Sequence, residues 1–128
     1  MLLKLPTNQN PNLLQITVPL ASSLIQIKGT KLKTINNIHF EGITFQNCSW
    51  EIPAAGYCGI QACNFDARPQ KGWREVPAAI KLEWAENCTF NSCKFENLGT
   101  SGLWFSTACK LCSVLNSEFY DFKASQWL

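Results

Sequence analysis

Apolar and polar residues alternate along this chain in short bursts, and the bursts recur. Residues 37–47, 87–97 and 111–121 align column by column. Ile38, Cys88 and Cys112 share one column, Phe40, Phe90 and Val114 a second, and Phe45, Phe95 and Phe119 a third. The second and third stretches are offset by 24 residues. Strict alternation marks a strand with one buried face, so each stretch predicts two short strands. Gly42, Ser92 and Asn116 interrupt the alternation and predict a bend between them. Asn47, Asn97 and Asp121 close the stretches with residue types that tolerate the left-handed backbone of a sharp turn.

A further strand precedes each stretch, at residues 24–28, 79–83 and 102–106. Leu14, Ile16 and Val18 also alternate, between Pro11 and Pro19, and predict one earlier strand. About three strands per repeat, stacked so that each pairs with its equivalent about 4.8 Å away, make a parallel β-helix. The expected fold is therefore all-β, a right-handed parallel β-helix solenoid of about four coils. It forms a single segment over residues 1–128 with a long loop insertion at 49–77. Cys88, Phe90, Cys93 and Phe95 also fit the five-residue rule of pentapeptide repeats, but residues 100–108 break it. A leucine-rich repeat would need a leucine ladder where these columns carry Phe and Cys.

Composition narrows the function classes. A chain of 128 residues, 46% hydrophobic, suits one domain with a packed core. Its net charge of +2 is small and the basic residues form no stripe, which argues against a nucleic-acid groove. No apolar run reaches the length of a membrane span. Residues 1–6 are broken by Pro6 too early for a signal-peptide core. Of the seven cysteines, Cys109 and Cys112 have the spacing of a zinc knuckle, with Cys88 and Cys93 as the other half. The repeat instead puts several cysteines in apolar columns, as small buried hydrophobes, so no metal or other cofactor is expected.

The run Asn36-Asn37-Ile38-His39-Phe40-Glu41-Gly42-Ile43-Thr44-Phe45 resembles the entry strands of bacterial right-handed β-helix proteins of the pectate-lyase-like superfamily. Trp50, Pro53, Gly56-Tyr57, Gln61-Ala62 and Pro77-Ala78-Ala79-Ile80 resemble its glycoside-hydrolase branch. The resemblance covers roughly residues 13–122. It implies a secreted or periplasmic protein acting on a polysaccharide or oligosaccharide. Relatives of this kind are longer, with capped ends, so the chain is expected to be an uncapped piece whose open coil ends invite self-association.

No catalytic motif of that branch matches a position here, so candidates come from the alternation. With Ile25, Ile27, Ile80, Leu82, Leu103 and Phe105 inward, Lys28, Glu83 and Ser106 form one outward column. Gln26, Lys81 and Trp104 form the next. An aromatic ring beside a carboxylate and a lysine suits a sugar, whose apolar face stacks on the ring; an ordinary solvated face with a Glu83–Lys28 pair accounts for the same residues. The insertion offers a second set, Trp50, Glu51, Tyr57, Gln61, Asp66, Arg68, Trp73, Arg74 and Glu75, either lining a groove or packing the loop down.

Glycoside hydrolysis needs two carboxyl groups across the scissile bond. The candidates are Glu83, Asp66 and Glu51, with Glu75 and Glu86 behind them; Trp104, Lys81, Trp50, Tyr57, Gln61 and Trp73 are the expected sugar contacts. Glu41 and His39 share a solvated strand face, and Asp121 belongs to the turn column. Nucleophile-elbow, phosphate-loop and zinc-protease motifs are absent, and no acidic cluster favours a calcium-dependent lyase. The sequence thus points to part of a β-helix glycoside hydrolase, with a non-catalytic scaffold or carbohydrate-binding adhesin segment as the alternative.

Overall fold

A computed structural model describes residues 10–51, 57–58, 65–68 and 72–122; at 57–58, 65–68, 72–75 and 121–122 the description is of the backbone. The fold is all-β. Four strands open it, β1 (Ile25–Lys28), β2 (Ile35–Asn36), β3 (His39–Glu41) and β4 (Thr44–Ser49). After the insertion, with β5 (Tyr57–Cys58), β6 (Phe65–Arg68) and β7 (Gly72–Glu75), the series recurs. Its members are β8 (Ala78–Glu83), β9 (Ala85–Glu86), β10 (Thr89–Asn91) and β11 (Lys94–Gly99). The third passage has β12 (Ser101–Phe105), β13 (Ser113–Leu115) and β14 (Glu118–Phe122).

Equivalent strands lie side by side. Three-stranded sheets have the orders β1-β8-β12, β3-β10-β13 and β4-β11-β14, and β2 pairs with β9. Every pairing among these is parallel. The register matches the sequence columns: Phe90 aligns with Phe40 and Val114, and Phe95 with Phe45 and Phe119. The second repeat is flanked on both sides, and its inward residues Ile80, Leu82, Phe90, Phe95 and Leu98 are fully buried.

The core is a pile of rings. Phe90 stacks on Phe40 with centroids 4.8 Å apart, and Phe95 lies 5.1 Å from Phe45 and 4.4 Å from Phe119. Offset-stacked contacts of this kind stabilise beyond the area they bury.

Several corners turn on a left-handed residue. Asn37 (φ 58°), Asn87 (φ 52°) and Leu111 (φ 51°) form one corner column; Gly42, Ser92 and Asn116 form another; Asn47 and Asn97 a third. The residue after the corner then donates to the carbonyl two residues back, which also accepts a backbone N–H from the neighbouring repeat. Cys93 Sγ donates to the Asn91 carbonyl at 3.4 Å, Cys112 Sγ to that of Lys110 at 3.4 Å, and Ser117 Oγ to that of Leu115 at 2.8 Å. A thiol is apolar enough for the core and still a weak donor, which is why cysteine recurs at these positions.

Four details differ from the sequence expectation. Residues 14–20 form no strand, and Leu14, Ile16, Val18 and Leu20 are exposed, with only a single 3-10 turn at Pro11–Leu13 before them. Pro11 and Pro19 lack the N–H groups a sheet would need there. The described residues accordingly show three passages of the strand series where about four were expected. Each of the first two passages has four strands where about three were expected; the additional ones, β2 and β9, are too short to show alternation. The insertion expected as a loop carries an antiparallel sheet, β5-β6-β7.

Candidate functional site

The outward face of β1-β8-β12 gathers the strongest group of polar residues. Lys81 aligns with Gln26 on one side and Trp104 on the other, and Glu83 aligns with Lys28. Alternation along β8 sends Ile80 and Leu82 into the core and leaves Lys81 and Glu83 on the outside, partly covered. Lys81 Nζ lies 2.6 Å from Glu83 Oε1 and 4.5 Å from the centroid of the Trp104 ring. Lys28 Nζ approaches Glu83 Oε2 at 3.6 Å from a side chain that is 76% exposed.

Electrostatics follow from that geometry. The hydrogen bond from Lys81 is the main cause that holds the Glu83 carboxyl below its ordinary value of 4.5, and Lys28 adds to it. Partial burial opposes the shift without reversing it. Glu83 is therefore ionised at neutral pH. A proton-donating glycosidase carboxyl needs the opposite shift. Glu83 suits the ionised partner of a carboxyl pair, as base, nucleophile or electrostatic stabiliser.

Beyond Phe105 the ladder slips by one residue. Ser106 N donates to the Leu82 carbonyl, whereas Trp84 N donates to that of Thr107, so Ser106 and Thr107 together stand opposite Glu83. Ser106 reaches the Glu83 column as the alternation expects, at a bulge rather than in a regular ladder.

The other candidates are dispersed. Trp50 and Glu51 follow β4 directly, with Trp50 half-buried and Glu51 exposed. Tyr57 stands opposite Asp66, Asp66 opposite Arg74, and Trp73 opposite Ala67 in the antiparallel sheet. Gln61 lies outside the described residues. Glu86 pairs with Asn36 in the β2–β9 sheet, and Glu41 accepts from Asn91 Nδ2 at 3.4 Å on the β3-β10-β13 face. Among the described residues, no group of three or more His, Cys, Asp or Glu side chains is placed to hold a metal ion.

A second polar cluster was not singled out from sequence. On β14, Tyr120 donates to Glu118 Oε2 at 2.6 Å, and Lys94 of β11 lies 3.5 Å from the same oxygen. The hydrogen bond from Tyr120 lowers the Glu118 pKa and raises that of Tyr120 itself. The signal was present: with Phe119 inward, Glu118 and Tyr120 must face outward.

A comparison with protein-family models, with curated proteins and with solved structures found no match to this chain.

Proposed function

We propose that this chain is a stretch of right-handed parallel β-helix of the pectate-lyase-like type, and part of a glycoside hydrolase whose β1-β8-β12 face contacts a polysaccharide. Parallel pairing of each strand with its equivalent in the next passage supports the β-helix reading. One observation carries the functional reading: Glu83, Lys81 and Trp104 are joined on one outward sheet face. Trp104 offers a flat apolar surface to a sugar ring, and Lys81 and Glu83 offer a donor and an acceptor to its hydroxyls. In hydrolysis Glu83 takes the ionised role, and the proton donor is a second carboxyl roughly 5–10 Å from it.

The placement of two lysines around Glu83 favours a second reading, in which the same face binds glycan without cleaving it. The two readings separate in one experiment. Binding to a panel of soluble polysaccharides is followed by affinity electrophoresis, and cleavage by release of reducing ends. W104A is expected to weaken binding about tenfold, as loss of a hot-spot aromatic does. Reducing-end release that disappears in E83Q, with binding retained, supports hydrolysis; binding without release supports the scaffold reading. Absence of both binding and release across the panel would falsify the proposal.

A further inference from the structure

The cysteine columns place two thiols next to each other across the boundary between the second and third repeats. β10 and β13 pair with Thr89 opposite Ser113, and Ser113 N donates to the Cys88 carbonyl at 3.0 Å. Cys88 and Cys112, one residue earlier on each strand, are therefore in register on adjacent parallel segments. That spacing puts their Cα atoms about 4.8 Å apart, inside the roughly 4.4–6.8 Å that a disulfide spans. Both follow a left-handed corner residue, Asn87 or Leu111, and both side chains face the core. Cys109 belongs to a different column, next to Lys110, whose backbone pairs with that of Glu86. Its in-register neighbour in the second repeat is Ala85, so its own column offers it no thiol.

We propose that Cys88 and Cys112 are an oxidisable pair, a site at which a disulfide ties the third repeat to the second. Cys112 is half-buried and Cys88 fully buried, so a small oxidant meets Cys112 first. With a low-molecular-weight disulfide such as oxidised glutathione, the Cys112 thiolate attacks one sulfur. A mixed disulfide forms and one glutathione thiolate leaves. The Cys88 thiolate then attacks the Cys112 sulfur, the protein disulfide forms, and the second glutathione thiolate leaves. The two cysteines lose two protons and two electrons, and the oxidant gains them as two thiols. Each cysteine gives up a weak thiol–carbonyl bond, Cys88 to Glu86 at 3.5 Å and Cys112 to Lys110 at 3.4 Å. Burial pushes the Cys88 thiol up from its ordinary value, so the second step quickens as pH rises. This inference is independent of the glycan reading.

The test is incubation of the folded chain with oxidised glutathione at about pH 8.5, near the ordinary thiol pKa. Alkylation and peptide mapping under non-reducing conditions follow. The expected product is a Cys88–Cys112 linked peptide, with the chain lighter by two hydrogen atoms and Cys112 protected from alkylation. C109S is expected to give the same link. C88S is expected to stop at the glutathione adduct on Cys112. Circular dichroism verifies that each variant keeps its sheet content, and the oxidised chain is expected to unfold at higher urea. A Cys109–Cys112 link, a link to any other cysteine, an intermolecular dimer, or thiols that stay free in the folded chain would each overturn the proposal.

Discussion

Lys81 binds Glu83 along its own strand more closely than Lys28 does across the sheet, at 2.6 Å against 3.6 Å. Residues two apart on a strand share a face, and Lys81 is also held in place by the Trp104 ring. The pair is partly covered, with side chains about one-fifth exposed. E83Q is expected to destabilise the chain by about 1 kcal/mol, at the upper end for ion pairs near a surface, and K28A by close to nothing. Urea unfolding of the two variants measures both.

The same pair sets a pH dependence. The Glu83 carboxyl titrates below 4.5 when folded, because Lys81 hydrogen-bonds the charged form. Its contribution is complete above the unfolded pKa and is lost as pH falls through the lower, folded value. The stability difference between wild type and E83Q is therefore expected to be constant near neutral pH and to shrink in acid below 4.5. Unfolding midpoints of both proteins across that range provide the check; a difference that grows in acid contradicts the assignment.

The ring pile predicts an order of losses. Phe95 is fully buried between Phe45 and Phe119, whereas Phe119 is 45% exposed. F95A is expected to cost about 3–5 kcal/mol, the range for a buried aromatic, and F119A clearly less. Thermal or urea denaturation that ranks F119A as the more damaging would contradict this packing.

Gly29 faces the backbone of the next repeat. A Cβ built there would collide with the Trp84 carbonyl oxygen and touch the Ile35 nitrogen, and neither is a flexible side-chain end. G29A is expected to cost about 1–3 kcal/mol, as overpacking does. At Gly42 the space is open, but its φ is +66°. G42A is expected to cost about 1–2 kcal/mol through backbone conformation, and G42N less, because Asn tolerates the left-handed region. Comparison of G42A with G42N isolates the backbone contribution.

Much of the parallel pairing was legible because the inward columns are chemically uniform. Phe40, Phe90 and Val114 announce their alignment, and the alternation along residues 79–83 places Lys81 and Glu83 outside. The parts that were not legible share physical causes. Ile35–Asn36 and Ala85–Glu86 are too short for a period-two signal. Trp84 adopts φ 50° although nothing in an indole side chain favours it; the corner's place in the stack imposes it. Leu14, Ile16 and Val18 alternate without being buried, because alternation records what a strand could bury and not whether a partner is there. At the site, alternation supplied the faces, but it could not reveal that Lys81 would take the nearer hold on Glu83.

The corners between strands are far from uniform in length. Gly29 to Thr34 occupy the place that Trp84 alone fills one repeat later, since Lys28 aligns with Glu83 and Ile35 with Ala85. Twenty-eight residues, 50–77, separate Ser49 from Ala78 in the sequence, where Thr100 alone separates their partners Gly99 and Ser101. On both sides of each such corner the strands are back in step. Length added at a corner is thus absorbed locally, and the phase of the apolar columns is reset by the next strand. Such a molecule can gain or lose whole segments at its corners, and acquire new surface there, while the pile of rings inside stays the same.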